Sequence, residues 1–226
     1  MRYADDELRE NKDFVLEAIT INPRGYEYIS PELKKDKDIL KKAVEVQAGK
    51  KPPHENWEGS WSTVILADAS EELKRDRGFI KEICAIDYRQ AYGMADELKD
   101  DKEFILELID IHPATFRAAS EKIRSDRELA RKVIANDPFA YFSLPEDLRK
   151  EDDFVLQAIS VDPFILNFII QDPRGPDRTR AEDSEFMVKA IQTNMKSIKQ
   201  LQHLLELGLS RDKHYAIKKA LEIAKK

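Results

Sequence analysis

Four histidines, one cysteine and 44 aspartates and glutamates are the side chains of this 226-residue sequence that could move protons, hold a metal or act as a nucleophile. Their spacing does not organise them for that work. His54, His112, His203 and His214 have no histidine three or four residues away, so none shows the paired spacing of a helical metal site. His54 and Glu55 suggest a metal ligand or an acid–base pair by type, but no further ligands cluster around them in the sequence. Cys84 falls in an apolar helical stripe and reads as core rather than as a nucleophile. The sequence lacks Gly-x-Gly-x-x-Gly, a Gly-Lys-Ser/Thr phosphate loop, Gly-x-Ser-x-Gly and His-Glu-x-x-His. The expectation is a protein that is not an enzyme, with no catalytic residue, no metal and no cofactor.

Three groups could bind rather than react. Trp57 and Trp61 lie in a Pro- and Gly-containing insertion at about 47–62, where they either cap the neighbouring units or meet a partner. Phe139, Phe142, Phe164 and Phe168 exceed the apolar residues that the local pattern needs. They either pack between units or form an apolar partner patch, with Phe142 and Phe168 expected side by side. Arg174, Arg178 and Arg180 stand in a Gly-Pro segment that is either a solvated loop or a weak anion-binding site.

A repeat must position all of these. The phrase Leu-x-x-Asp-Lys-x-Phe recurs, with an apolar anchor at Phe14, Ile39, Phe79, Phe104, Leu129, Phe154 and Phe186. A degraded eighth copy is placed at Asp212-Lys213-His214-Tyr215. Four of the seven steps between anchors are 25 residues, and the step from Ile39 to Phe79 is one period plus a 15-residue insertion. After each anchor the apolar residues fall at i, i+1, i+4 and i+5, as in Phe79, Ile80, Ile83 and Cys84. That is a helical stripe, not the alternation of a strand. Asn11, Asp36, Asp76, Asp101 and Asp126 precede the stripe as N-caps. Asn22-Pro23, His112-Pro113, Asp137-Pro138 and Asp162-Pro163 stop the helix and begin a second, shorter one. Its inward columns are Tyr26, Ala91, Phe116, Tyr141, Leu166 and Ile198, then Ile29, Met94, Ala119, Leu144, Ile169 and Leu201. Leu66 and Ala69 serve the copy displaced by the insertion.

One such unit cannot bury its stripe alone. The reading is an all-α fold: an α-solenoid of about seven helical-hairpin repeats of 25 residues, with two loop insertions. It is expected as a single domain over 1–226, with insertions at about 47–62 and 172–182 and a variant capping unit at about 205–226. Only 7 glycines, 36% charged residues and a net charge of −6 agree with helices joined by short connections. One cysteine excludes an intrachain disulfide framework and fits a reducing compartment. No apolar run is long enough to span a bilayer, and the acidic start lacks a signal-peptide core.

The pattern Leu-x-x-Asp-Lys-x-Phe-Val-Leu-x-Ala-Ile, followed by Tyr26-x-x-Ile29-Ser30-x-x-Leu33, resembles an uncharacterised family of tandem helical repeats classed as a domain of unknown function. The likeness runs from about Asp5 to Ile191 and departs at both insertions and in the C-terminal unit. The family is similar to repeats in effectors of intracellular bacterial pathogens and in some protist and large-virus proteins. It carries no catalytic residues to transfer, and it implies a recognition or scaffold role. The functional expectation is a monomeric, non-catalytic scaffold binding another protein through one face. The alternatives are an accessory or targeting domain of a secreted bacterial effector and a nucleic-acid-binding α-solenoid. Nucleic acid is the less expected partner because the chain is net negative. The compartment expected is the cytoplasm, or the host cytosol for a secreted effector.

Overall fold

The computed structural model describes residues 1–49, 64–171, 179–206 and 209–224. All regular structure among the described residues is helical. The chain divides into two compact units, Met1–Ile123 and Arg124–Lys226.

Each copy is built on an anchor helix. Six of these have ten residues: Lys12–Ile21, Arg77–Ile86, Lys102–Ile111, Arg127–Asn136, Asp152–Val161 and Ser184–Thr193. Lys37–Gly49 is longer by three. The i, i+1, i+4, i+5 stripe is buried in every copy from Ile39 to Phe186, whereas Phe14 is only half-buried. Within each unit, successive anchor helices pack on one another, so each stripe is covered by its neighbour.

The second element differs from the expected α-helix. In four copies it is a six-residue 3₁₀ segment: Pro23–Tyr28, Tyr88–Gly93, Pro113–Ala118 and Pro138–Ser143. That geometry suits the inward columns. They are spaced by three residues, and side chains three apart eclipse on a 3₁₀ helix. Tyr26 with Ile29, Phe116 with Ala119, and Tyr141 with Leu144 therefore point the same way into the core, all at most 5% exposed. Where the apolar spacing includes four, the backbone turns α: Ile165–Gln171 buries Ile165, Leu166, Ile169 and Ile170. Ser197–Leu204 is also α-helical, and there Ser197 is fully buried in place of the expected Ile198.

A single helical turn closes each copy and carries the motif leucine, as at Leu73–Arg75 and Asp96–Lys99. Ser30, Ser70 and Ser120 cap this turn by accepting from the N–H three residues on. The same residue column joins neighbouring copies in the first unit. The N–H groups of Ser30, Ser70, Ala95 and Ser120 donate to the carbonyls of Arg9, Lys34, Lys74 and Lys99, at 2.8–3.2 Å. Pro145 holds the next place in this column and has no N–H to give.

The eighth copy is out of the expected register. Tyr215 is 65% exposed, and the buried stripe of the Arg211–Ala224 helix is Ala216, Ile217, Ala220 and Leu221. The i, i+1, i+4, i+5 rule survives with Ala216, not the aromatic residue, as its first member.

Candidate functional site

The acid and base of the repeat phrase Leu-x-x-Asp-Lys-x-Phe form an inter-repeat clamp. The motif acid caps its own helix: Asp76 accepts from the Phe79 N–H and Asp101 from the Phe104 N–H, both at 3.0 Å. The same carboxylate also receives the first helical residue of the preceding copy. Lys12 meets Asp36 at 2.6 Å, Lys37 pairs with Asp76 and Arg77 meets Asp101 at 2.7 Å; Arg127 meets Glu151 at 2.6 Å, although the Glu151 side chain makes no capping bond. Three of these cations also lie over the next anchor ring. Lys37 stands 5.5 Å from the Phe79 centroid, Arg77 4.6 Å from Phe104, and Arg127 5.4 Å from Phe154.

The electrostatics follow from this geometry. Asp76 is held below the usual carboxylate range by Lys37 and by the Phe79 N–H. Asp101 is held low by the Phe104 N–H, with Arg77 adding to the effect. Asp152 inverts the scheme: it stands where the five preceding copies carry Lys or Arg, and it takes cations from the following copy, Arg180 at 3.1 Å and Lys189 at 3.2 Å. The recurring basic residue directly after the cap was the sequence signal for the whole clamp. The acid before it is a cap, as expected, and is also the partner of the preceding copy's cation.

The aromatic residues converge in the second unit. Phe142 and Phe168 lie 5.8 Å apart by ring centroid, next to one another as expected. Phe139 meets Phe168 edge-on at 5.3 Å, and Phe164 does so at 5.4 Å. Phe164 and Phe168 remain 44% and 45% exposed. With Phe142, Asn167 and Gln171 they line an open groove of about 420 Å³, and no charged side chain among the described residues lines it. The Arg149 guanidinium lies 5.9 Å from the Phe142 centroid.

Arg180 sits elsewhere, at 7% exposure. Its guanidinium donates to Asp152, to the Arg149 carbonyl at 2.7 Å and to the Lys150 carbonyl, so it ties its own copy to the one before. Arg174, Arg178, Trp57 and Trp61 lie outside the described residues, as does His54.

His112 caps the segment that follows it: its Nδ1 accepts from the Ala114 N–H at 3.2 Å. Its ring stacks on Tyr88 at 4.4 Å and 18°. Beside it, Asp87 is a buried hub. It takes Arg89 through both oxygens at 2.7 and 2.9 Å and Gln90 at 3.2 Å. Burial pushes its pKa up, but these bonds outweigh burial and hold it low. Cys84 is buried, and burial raises its thiol to about 12, far from the thiolate a nucleophile needs. Among the described residues no three His, Cys, Asp or Glu side chains gather as a metal site, and no helix is long and apolar enough to cross a membrane.

An anchor helix, a capped 3₁₀ joint, a closing turn and an acid–cation clamp define a tandem helical-repeat protein. The chain belongs to the DUF4116 family, a domain of unknown function, whose model matches residues 1–34, 11–48, 101–149 and 126–172, together more than half of the sequence. The matches beginning at 101 and 126 are offset by one 25-residue period. No curated protein and no solved structure matches the chain.

Proposed function

We propose that this chain is a non-catalytic α-solenoid scaffold that binds another protein through an aromatic face on its second unit. One observation carries the reading: Phe164 and Phe168, each nearly half exposed, flank a groove lined by no charged side chain among the described residues, on a chain in which 36% of residues are charged. Aromatic side chains lose little conformational entropy on binding and dominate interface energies. A groove lined by three rings and two carboxamides suits an apolar side chain whose flanking peptide groups hydrogen-bond to Asn167 and Gln171.

Selection of a random peptide library against the full chain tests this. The reading expects enrichment of peptides with an apolar anchor, lost in Phe164→Ala/Phe168→Ala with helical circular dichroism unchanged. Equal enrichment by the variant removes the groove from the proposal. Retention of a nucleic-acid probe at low salt, lost as salt rises, would replace a protein partner with nucleic acid.

A further inference from the structure

We propose that His112 makes the joint after the Lys102–Ile111 helix pH-dependent, with neutral imidazole closing the joint and protonation opening it. The repeat supplies its own comparison. At the residue that ends the anchor helix, six copies use a side-chain acceptor for the N–H two residues on. Asn22 takes Arg24 at 3.1 Å, Asp87 takes Arg89 at 3.1 Å and Asp137 takes Phe139 at 3.0 Å. Asp162 takes Phe164 at 2.8 Å and Asn194 takes Lys196 at 3.1 Å. His112 takes Ala114 at 3.2 Å through Nδ1. An amide oxygen accepts at any pH, and a carboxylate accepts throughout the neutral range. An imidazole nitrogen accepts only while it is unprotonated, and imidazolium is a donor at both nitrogens. His112 is therefore the one described joint whose acceptor is lost when its side chain takes up a proton.

The ring cannot adjust without cost. Protonated Nδ1–H would face the Ala114 N–H, donor against donor, and turning the ring away gives up its stack on Tyr88. Among the described residues, the cleft of about 300 Å³ beside it is lined by Asp87, Arg89, Tyr88 and Cys84, and the nearest carboxylate in sequence on its own helix is Asp110. Asp87 is already held by Arg89, so it is not free to receive imidazolium. The Tyr88 face attracts a cation, which steadies the protonated ring only where it remains stacked and so sets stack against cap. The side chain is exposed, so protons reach it freely.

Amide hydrogen exchange followed by NMR on the full chain tests the proposal. After correction for intrinsic rates, protection at Ala114 should fall about fivefold between pH 8 and pH 5.5, the loss of one ordinary hydrogen bond. Phe139, capped by Asp137 at the same place in its copy, should show no such fall. His112→Asn, which installs the residue found at positions 22 and 194, should hold Ala114 protection flat. Protection at Ala114 that tracks Phe139 across the range overturns the proposal, and so does a fall that persists in His112→Asn.

Discussion

Arg77 opens one anchor helix and Asp101 caps the next, and the two meet at 2.7 Å with the Arg77 guanidinium lying over the Phe104 ring. The carboxylate thus belongs to two structures at once, and its two roles separate by mutation. Asp101→Ala removes cap and ion pair together and is expected to cost about 1–2 kcal/mol. Asp101→Asn keeps a capping oxygen and should cost less than half as much. Arg77→Ala should then destabilise the wild type by about 1 kcal/mol and the Asp101→Asn variant by less, read from urea midpoints in a double-mutant cycle.

The same carboxylates set the acid limit of the fold. Asp76, Asp87 and Asp101 all have folded pKa values below their ordinary ones. A depressed carboxylate contributes stability that is complete above its unfolded value and is lost as pH falls through the folded one. The urea midpoint should therefore show little carboxylate-driven loss down to about pH 5 and fall steeply below about pH 4. A midpoint that rises on acidification through that window would contradict the clamp.

Arg180 reads in the sequence as part of an exposed arginine segment, yet its guanidinium is buried against Asp152 and two main-chain carbonyls. Arg180→Ala strands those acceptors and should cost about 3 kcal/mol. Arg180→Lys keeps the charge but cannot reproduce the planar fork, so it should recover less than half of the loss in thermal or urea unfolding.

Two glycines give opposite predictions. A Cβ on Gly93 would lie 2.6 Å from the Ala67 nitrogen and 2.9 Å from the Leu66 carbonyl carbon, because two 3₁₀ segments pack backbone to backbone there. Gly93→Ala should destabilise by about 1–3 kcal/mol. Gly78 meets only an Asp76 oxygen at 3.5 Å in the first turn of its helix. Gly78→Ala should stabilise by about 0.5–1 kcal/mol. Thermal unfolding of the two variants checks both signs.

The half-exposed rings should be dispensable for folding, whereas the anchors should not. Phe154→Ala empties a fully buried site and is expected to cost about 3–5 kcal/mol. Phe168→Ala removes a ring already 45% exposed and should cost about 1 kcal/mol, because its edge contacts are few and open to water.

The helices and their buried faces were legible because burial leaves a period in the sequence. Phe79, Ile80, Ile83 and Cys84 announce a stripe with no knowledge of what covers it. The 3₁₀ joints were less legible, since Tyr26 and Ile29 are three apart on either kind of helix and only packing separates the two. The clamp was hidden because its partners lie one period apart. Nothing around Lys37 names Asp76, which stands 39 residues on, beyond the first insertion. Tyr215 misled because aromatic type outweighed register, whereas Ala216 and Ile217 hold the buried place. The aromatic cluster was visible as an excess of Phe139, Phe142, Phe164 and Phe168, but which rings keep water contact depended on the local change from 3₁₀ to α geometry at Ile165–Gln171.

A clamp whose acid faces backward and whose cation faces forward has a consequence for descent. Excising 77–101 would place Lys102 directly after Asp76, leaving Lys37 its acid, Asp76 a helix to cap, and every later pair untouched. Inserting one whole period would be equally silent. Such a chain can lengthen or shorten by duplication and loss in steps of 25 without inventing a new contact, while any other step length must be absorbed as a loop. The departures at about 47–62 and 172–182 leave the anchor stripes whole: Ile39, Leu40, Ala43 and Val44 precede the first, and Phe186, Met187, Ala190 and Ile191 follow the second.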